Sequence, residues 1–141
     1  MSAALYLLDT NVISAARKPW ALADHVAGAI RSLALRKTYV SVITLMELEI
    51  GVRSMERRDP RQGAELRQWL RSRRAELDAA QILPVTQQVV LRCAPLHVPD
   101  RRPTNDALIA ATALAHGLTL VTRNVADFDA IDGQRILDLW A

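Results

Sequence analysis

The chain has 141 residues, half of them hydrophobic, and carries 18 basic against 15 acidic residues for a formal charge of +3. That length favours a single domain over residues 1–141, with enough apolar material for a core without disulfides. Cys93 is the only cysteine, so an internal disulfide is excluded, and no Cys/His spacing resembles a zinc site.

Leu5 to Leu8 is a continuous apolar run ending in Asp9-Thr10-Asn11. It predicts a buried strand feeding a helix, with Thr10 or Asn11 as cap candidates. Residues 20–35 carry helical spacing. Thr38 to Ser41 is rich in β-formers and predicts a second strand. Residues 43–56 predict a helix, and residues 60–79 a strongly charged one entered through Asp59-Pro60. Gln81 to Val85 is a third strand candidate that Pro84 shortens. Residues 86–97 follow as a helix that Pro95 ends or kinks. Thr104 to His116 is an alanine-rich helix stopped by Gly117. Leu118 to Thr122 predicts a fourth strand, and Arg135 to Trp140 a fifth at the edge. Strands alternating with helices predict an α/β fold, a parallel sheet of about four or five strands flanked by helices on both faces. In such sheets the ligand site lies beyond the carboxyl ends of the strands.

Four acids stand where strands end or the following helices begin. Asp9 follows four apolar residues, so its carboxylate needs helix N–H groups or a cation as compensation. A plain N-cap would explain the same position. Asp106 lies in the first turn after Thr104, where the helix dipole favours negative charge. The small residues of ALIAATALA let that helix approach the sheet and carry Asp106 to the strand ends. Glu47 and Glu49 are two positions apart on one helix, and periodicity does not choose between them. Thr44 to Glu47 also fits a capping box. Asp127 sits in a turn after the fourth strand, with Thr122 and Asn124 as neutral oxygen donors nearby. Carboxylates converging there would repel one another, and a hard cation such as Mg2+ or Mn2+ relieves that cost through oxygen ligands.

With those four acids set aside, eighteen basic residues face eleven acids, which favours a polyanionic partner such as nucleic acid. Eight arginines fall between Arg53 and Arg74, interleaved with Glu56, Asp59 and Glu65, a pattern that suits a solvated helix face or an RNA- or partner-facing edge. Trp69 within it reads as core or interface. No stretch approaches transmembrane length, and no basic region precedes the N-terminal apolar run. Neither a membrane span nor a signal peptide is expected, and the expected location is cytoplasmic. No GxSxG elbow, HExxH, P-loop or GxGxxG is present, and the three histidines share no motif.

The segments LLDTNVIS, SVITLMELEIGV, ILPV and NDALIAATALAHGLTLVTRNVADF together resemble PIN-domain ribonucleases, specifically the VapC-type toxins of bacterial toxin–antitoxin pairs. The resemblance runs over nearly the whole chain. It maps Asp9, Glu47 and Asp106 onto the family's three main acids and so selects Glu47 over Glu49. Where some relatives carry a fourth acid, this chain has Asn124; either Asp127 supplies that charge or the site runs on three acids. Asn11, Thr122 and Asn124 match supporting polar positions. The resemblance implies Mg2+- or Mn2+-dependent hydrolysis of RNA, a homodimer, and a small VapB-like antitoxin that blocks the groove.

Two other classes compete. A phosphatase or phosphotransfer domain also places an aspartate after its first strand. A haloacid-dehalogenase-like enzyme would want a second aspartate at position 11, which is Asn11, and a receiver domain would want a late lysine, whereas Lys18 and Lys37 are the only lysines. A non-catalytic PIN-like module binding RNA or a partner would keep the pocket without the chemistry; metal dependence separates it from a nuclease.

Overall fold

Short apolar runs need their backbone groups paired, and here they pair with one another. The computed structural model describes residues 4–141. In chain order the elements are β1 (Tyr6–Leu8), α1 (Thr10–Ala16), α2 (Asp24–Ala34), β2 (Thr38–Ser41), α3 (Val42–Arg58), α4 (Pro60–Ala75), β3 (Ile82–Leu83), α5 (Gln87–Cys93), α6 (Thr104–His116), β4 (Thr119–Val121), α7 (Val125–Phe128) and β5 (Ile136–Leu137). Single 3-10 turns at Pro19–Ala21, Ala79–Gln81 and Ala94–His97 lie between them.

The sheet order is β3-β2-β1-β4-β5, with every neighbouring pair parallel. The chain lays β2 and β3 outward on one side of β1, then crosses to place β4 and β5 on the other. That reversal leaves a crevice between the carboxyl ends of β1 and β4. Strand alternation sends side chains to two cores. Leu7 and Leu120 join Ile109, Ala110, Ala113 and Phe128 on one face, while Leu8 and Val121 pack with Val12, Leu33 and Leu139 on the other. Helix α6 owes its close approach to alanine: Ala107, Ala110, Ala111 and Ala113 are at most 1% exposed. Gly117 ends α6 at φ 65°, a left-handed conformation that glycine adopts without steric cost. Val89 and Cys93 of α5 pack against Ala107 and Ala111, so the thiol is a core group.

Several sequence expectations change. The cap of α1 is neither Thr10 nor Asn11 but Asp9, whose side chain accepts from the Thr10 N–H. Ser41 caps α3, accepting from the Ile43 N–H at 3.0 Å. Thr44 therefore lies inside the helix and the Thr44–Glu47 capping box does not form. Helix α4 ends at Ala75 rather than at residue 79, and a 3-10 turn, Ala79–Gln81, leads into β3. The stretch after β4 forms the short helix α7, too brief to carry a periodic signal.

Helices α3 and α4 form a tight antiparallel hairpin at Asp59, which ends the first and caps the second by accepting from the Gln62 N–H at 3.2 Å. The two helices come close at Gly63, where a Cβ would stand 2.4 Å from Glu56 Cα. Gly51, in the middle of α3, has nothing within 4 Å of the same position. Gly63→Ala must therefore push the helices apart, at a cost of about 1–3 kcal/mol. Gly51→Ala should stabilise by about 0.5–1 kcal/mol, because it removes only the entropy cost of a helical glycine. Urea melts of both variants check this pair; equal midpoints would show that the hairpin is looser than it looks.

Candidate active site

Asp9 sits directly beyond β1 and Thr122 directly beyond β4, and the register pairs Leu8 with Val121. The Asp9 N–H extends the ladder by donating to the Val121 carbonyl at 2.9 Å. Two residues 113 positions apart are thus side by side, and the Thr122 hydroxyl donates to Asp9 Oδ2 at 2.8 Å. Asp9 is only 4% exposed and Thr122 is fully buried. The Thr10 N–H donates to Asp9 Oδ1 at 2.8 Å, and the Asn11 amide reaches Oδ2 at 3.3 Å. Thr122 Oγ1 in turn accepts from the Asn124 N–H at 3.0 Å. Asn11 Oδ1 accepts from the Arg123 N–H at 3.2 Å, tying the start of α1 to the loop after β4. Burial still pushes the Asp9 carboxyl above its ordinary range; the hydrogen bonds from Thr122 and Thr10 oppose the shift, and the negative charges of Glu47 and Asp127 add to it.

Glu47 approaches from α3, on the other side of β1. The Thr10 hydroxyl donates to Glu47 Oε1 at 2.6 Å, with buried Thr44 Oγ1 3.2 Å from the same hydroxyl. Glu49 faces elsewhere. It takes Arg67 of α4 at 2.7 Å and Arg53 at 2.9 Å, and Arg67 also grips Glu56 at 2.8 Å. Those arginines hold the Glu49 carboxyl below its ordinary range.

Asp106 stands half-buried in the first turn of α6. Burial raises its carboxyl above the usual range, the charges of Asp9, Glu47 and Asp127 raise it further, and no hydrogen bond is among the influences on it. Asp127 is exposed on α7 and shares a groove of about 230 Å3 with Asp106, Arg101 and Arg102. A second hollow, of about 170 Å3, opens beside Thr10 and Glu47 and is lined by Arg17 and Trp69. Asn124 is exposed, and its recorded bond to the network is through its main chain. The structure thus brings Asp9, Thr122 and Asn11 into direct contact. Thr10 links Glu47 to the group, its N–H donating to Asp9 and its hydroxyl to Glu47, and Asp106 and Asp127 are joined to it through charge.

The donor set consists of carboxylate and hydroxyl oxygens, which suits a hard divalent cation. The uncompensated Asp106 carboxylate beside other acids fits the same need. Among the described residues, however, no three His, Cys, Asp or Glu side chains are grouped closely enough to hold one ion as they stand.

The description "PIN domain" belongs to the family model that matches residues 6–134. The chain belongs to the PIN-domain family. Over 133 residues it is 33% identical to Toxin FitB of Neisseria gonorrhoeae, covering 91% of this chain and 94% of that protein. It is also 45% identical over 64 residues to Ribonuclease VapC14 of Mycobacterium tuberculosis, 45% of this chain and 61% of that one. The crystal structure of FitAcB from Neisseria gonorrhoeae matches with a TM-score of 0.79 at 32% identity, covering 96% and 98% of the two chains.

Sequence reading of this PIN domain overlooked Thr10, Thr44 and Arg102. Thr10 looked like a cap and Thr44 like a capping-box residue, so neither hydroxyl was assigned to Glu47. Arg102 donates to the Leu96 and Asp127 carbonyls at 3.1 Å each, bracing α7 against the loop before α6; no local motif marks such an arginine. Thr122→Val tests the network of the PIN domain directly. It keeps shape but leaves a buried carboxylate short of a donor, so it should cost about 1–3 kcal/mol. An NMR titration should find the Asp9 carboxyl shifted further upward. An unchanged titration would mean that Thr122 does not support Asp9.

Proposed function

We propose that this chain is an endoribonuclease toxin that hydrolyses RNA phosphodiester bonds with Mg2+ or Mn2+. Its partners are a small antitoxin protein and a second copy of the chain. The observation that carries the reading is the buried Asp9 carboxylate, 4% exposed, held by donors from β4 and α1 and immersed in the field of Glu47 and Asp127. Such a cost at a sheet switch point supports a cation site there. The names of the similar proteins, a toxin and a ribonuclease, support RNA as substrate and the toxin role. An antitoxin partner is what the resemblance to VapC-type toxins implies. The dimer is supported by Met46 and Ile50, one turn apart on α3 and 43% and 54% exposed.

Asp9 and Asp106 would hold the ion, with Glu47 and Asp127 joining directly or through water. Such an ion supplies a water of lowered pKa and polarises the phosphate. The chain's own residues do the rest. Thr122 and the Thr10 N–H orient Asp9 and favour its ionised form. The Thr10 hydroxyl fixes Glu47 by Oε1 and leaves Oε2 free to face water. Arg17, Arg101 and Arg102 beside the two hollows would engage the backbone without reading bases. In the hydrolysis the water oxygen bonds to phosphorus, the bond from phosphorus to the 3′ oxygen breaks, and that oxygen takes a proton. The products carry 5′-phosphate and 3′-hydroxyl ends.

Cleavage of a labelled RNA should need Mg2+ or Mn2+ and stop in EDTA. Products should ligate through a 5′-phosphate; 2′,3′-cyclic ends would sink the mechanism. Glu47→Gln should lower the rate by orders of magnitude, whereas Glu49→Gln should leave it near the parent value, because Glu49 is committed to Arg67 and Arg53. Asp127→Asn should be milder than Asp106→Asn.

Acid titration carries a sign. The folded-state values of Asp9 and Asp106 lie above 3.8, so their contribution to stability is present below that pH and is lost as pH rises through the raised values. Above that window the ionised Asp106 destabilises the fold. Asp106→Asn should therefore raise the melting temperature in EDTA at neutral pH, and the gain should vanish below pH 3.8, where both states are protonated. A lower melting temperature at neutral pH would show instead that Asp106 is a structural helix-start residue.

A further inference from the structure

The largest hollow among the described cavities is not at the acids. It is a cleft of about 450 Å3 between the end of α6 and the turn Ala130–Gly133. Its charged walls are Arg92, Arg102 and Arg135, opposed by the single carboxylate of Asp132, and its floor includes Ala113, Leu114 and Ile131. Each arginine is anchored on a main-chain carbonyl. Arg92 donates to Leu114 O at 3.4 Å, Arg135 to Gly117 O at 2.9 Å, and Arg102 to Asp127 O at 3.1 Å. The four ion pairs of the described residues engage Arg53, Arg67 and Arg73, none of them in this cleft. A guanidinium has five N–H donors, so one carbonyl anchor fixes the group and leaves donors for a ligand.

The cleft adjoins the acidic site. Arg102 and Ile131 line both it and the groove that holds Asp106 and Asp127. Helix α6 runs between the two ends, from Asp106 to Gly117, about 16 Å at 1.5 Å per residue. A stacked strand rising about 3.4 Å per nucleotide covers that distance with roughly five nucleotides. An anchored row of cations over a small apolar floor suits a sugar–phosphate backbone with unpaired bases.

The geometry points to this cleft as the path of single-stranded RNA flanking the scissile bond, with Arg102 as the hinge from acidic site to track and Arg92 and Arg135 as its distal phosphate contacts. The assignment rests on the RNA-cleavage reading above. It adds a length requirement: the substrate must extend several nucleotides to one side of the cut.

The test is fluorescence anisotropy of a single-stranded RNA of about a dozen nucleotides, titrated with the full chain in EDTA over a range of salt. Each phosphate contact to a single strand contributes about 0.7 to the slope of log affinity against log salt. Arg92→Ala/Arg135→Ala should lower that slope by about 1.4 and weaken binding roughly tenfold or more at low salt. Asp132→Lys disturbs no carbonyl anchor and should steepen the slope and tighten binding, which keeps the proposal testable if the double variant folds poorly. An unchanged slope in Asp132→Lys, or in a folded double variant, overturns the assignment. So does loss of an acidic antitoxin peptide by the double variant with RNA binding intact, which would make the cleft a protein-docking site. A chain that binds RNA with the expected slopes but cuts none refutes the nuclease reading while keeping the track.

Discussion

The hydrogen bond from Thr122 to Asp9, 2.8 Å and buried, is the joint on which the rest depends. A carboxylate removed from water costs several kcal/mol unless donors replace the lost hydration. Here one donor comes from the helix that Asp9 starts and one from the far side of a topological crossover. The second would not exist without the parallel pairing of β1 with β4. The register that sets Leu8 beside Val121 also sets Asp9 beside Thr122, so sheet and site form together.

What surrounds that joint is a balance of charge. Burial raises the proton affinity of both Asp9 and Asp106, the charge of Asp9 adds to the shift of Asp106, and Glu47 and Asp127 add to both. The fold accepts this repulsion at one end of the sheet while neutralising charge elsewhere with care. On the α3–α4 hairpin, Arg67 answers Glu49 and Glu56 together. Glu47 and Glu49 differ by two positions, about 200° around a helix of 3.6 residues per turn. One therefore meets Thr10 at the start of α1 and the other meets Arg67 of α4. The same residue type serves a site and a scaffold because of helical phase alone.

Arginine usage follows the same division. Arg53, Arg67 and Arg73 are consumed by ion pairs within or between helices. Arg92, Arg102 and Arg135 bind carbonyls, and none of the ion pairs among the described residues engages them. A net charge of +3 conceals this, since balanced and unbalanced arginines count alike. Arg123 belongs to a third group, its guanidinium 5.2 Å from the Trp140 ring, which holds the chain end against the loop after β4.

Much was legible in the residues themselves. The apolar runs named the strands, Gly117 marked the end of α6, and the alternation of strand and helix required a parallel sheet with its site at the carboxyl ends. Those features are local, or follow from patterns a few residues long. Helix α7 escaped because four residues make barely one turn, and the α1 and α3 caps were misplaced because adjacent polar residues compete for the same N–H groups. The partner of Asp9, the turn of Glu47 toward Thr10, and the sorting of arginines into paired and free are decided by contacts across tens of residues. The sequence by itself determined which side chains were available and roughly where each element began. Only the tertiary structure decided which of them meet, because register and helical phase place groups to within an ångström, and a hydrogen bond is lost over that distance.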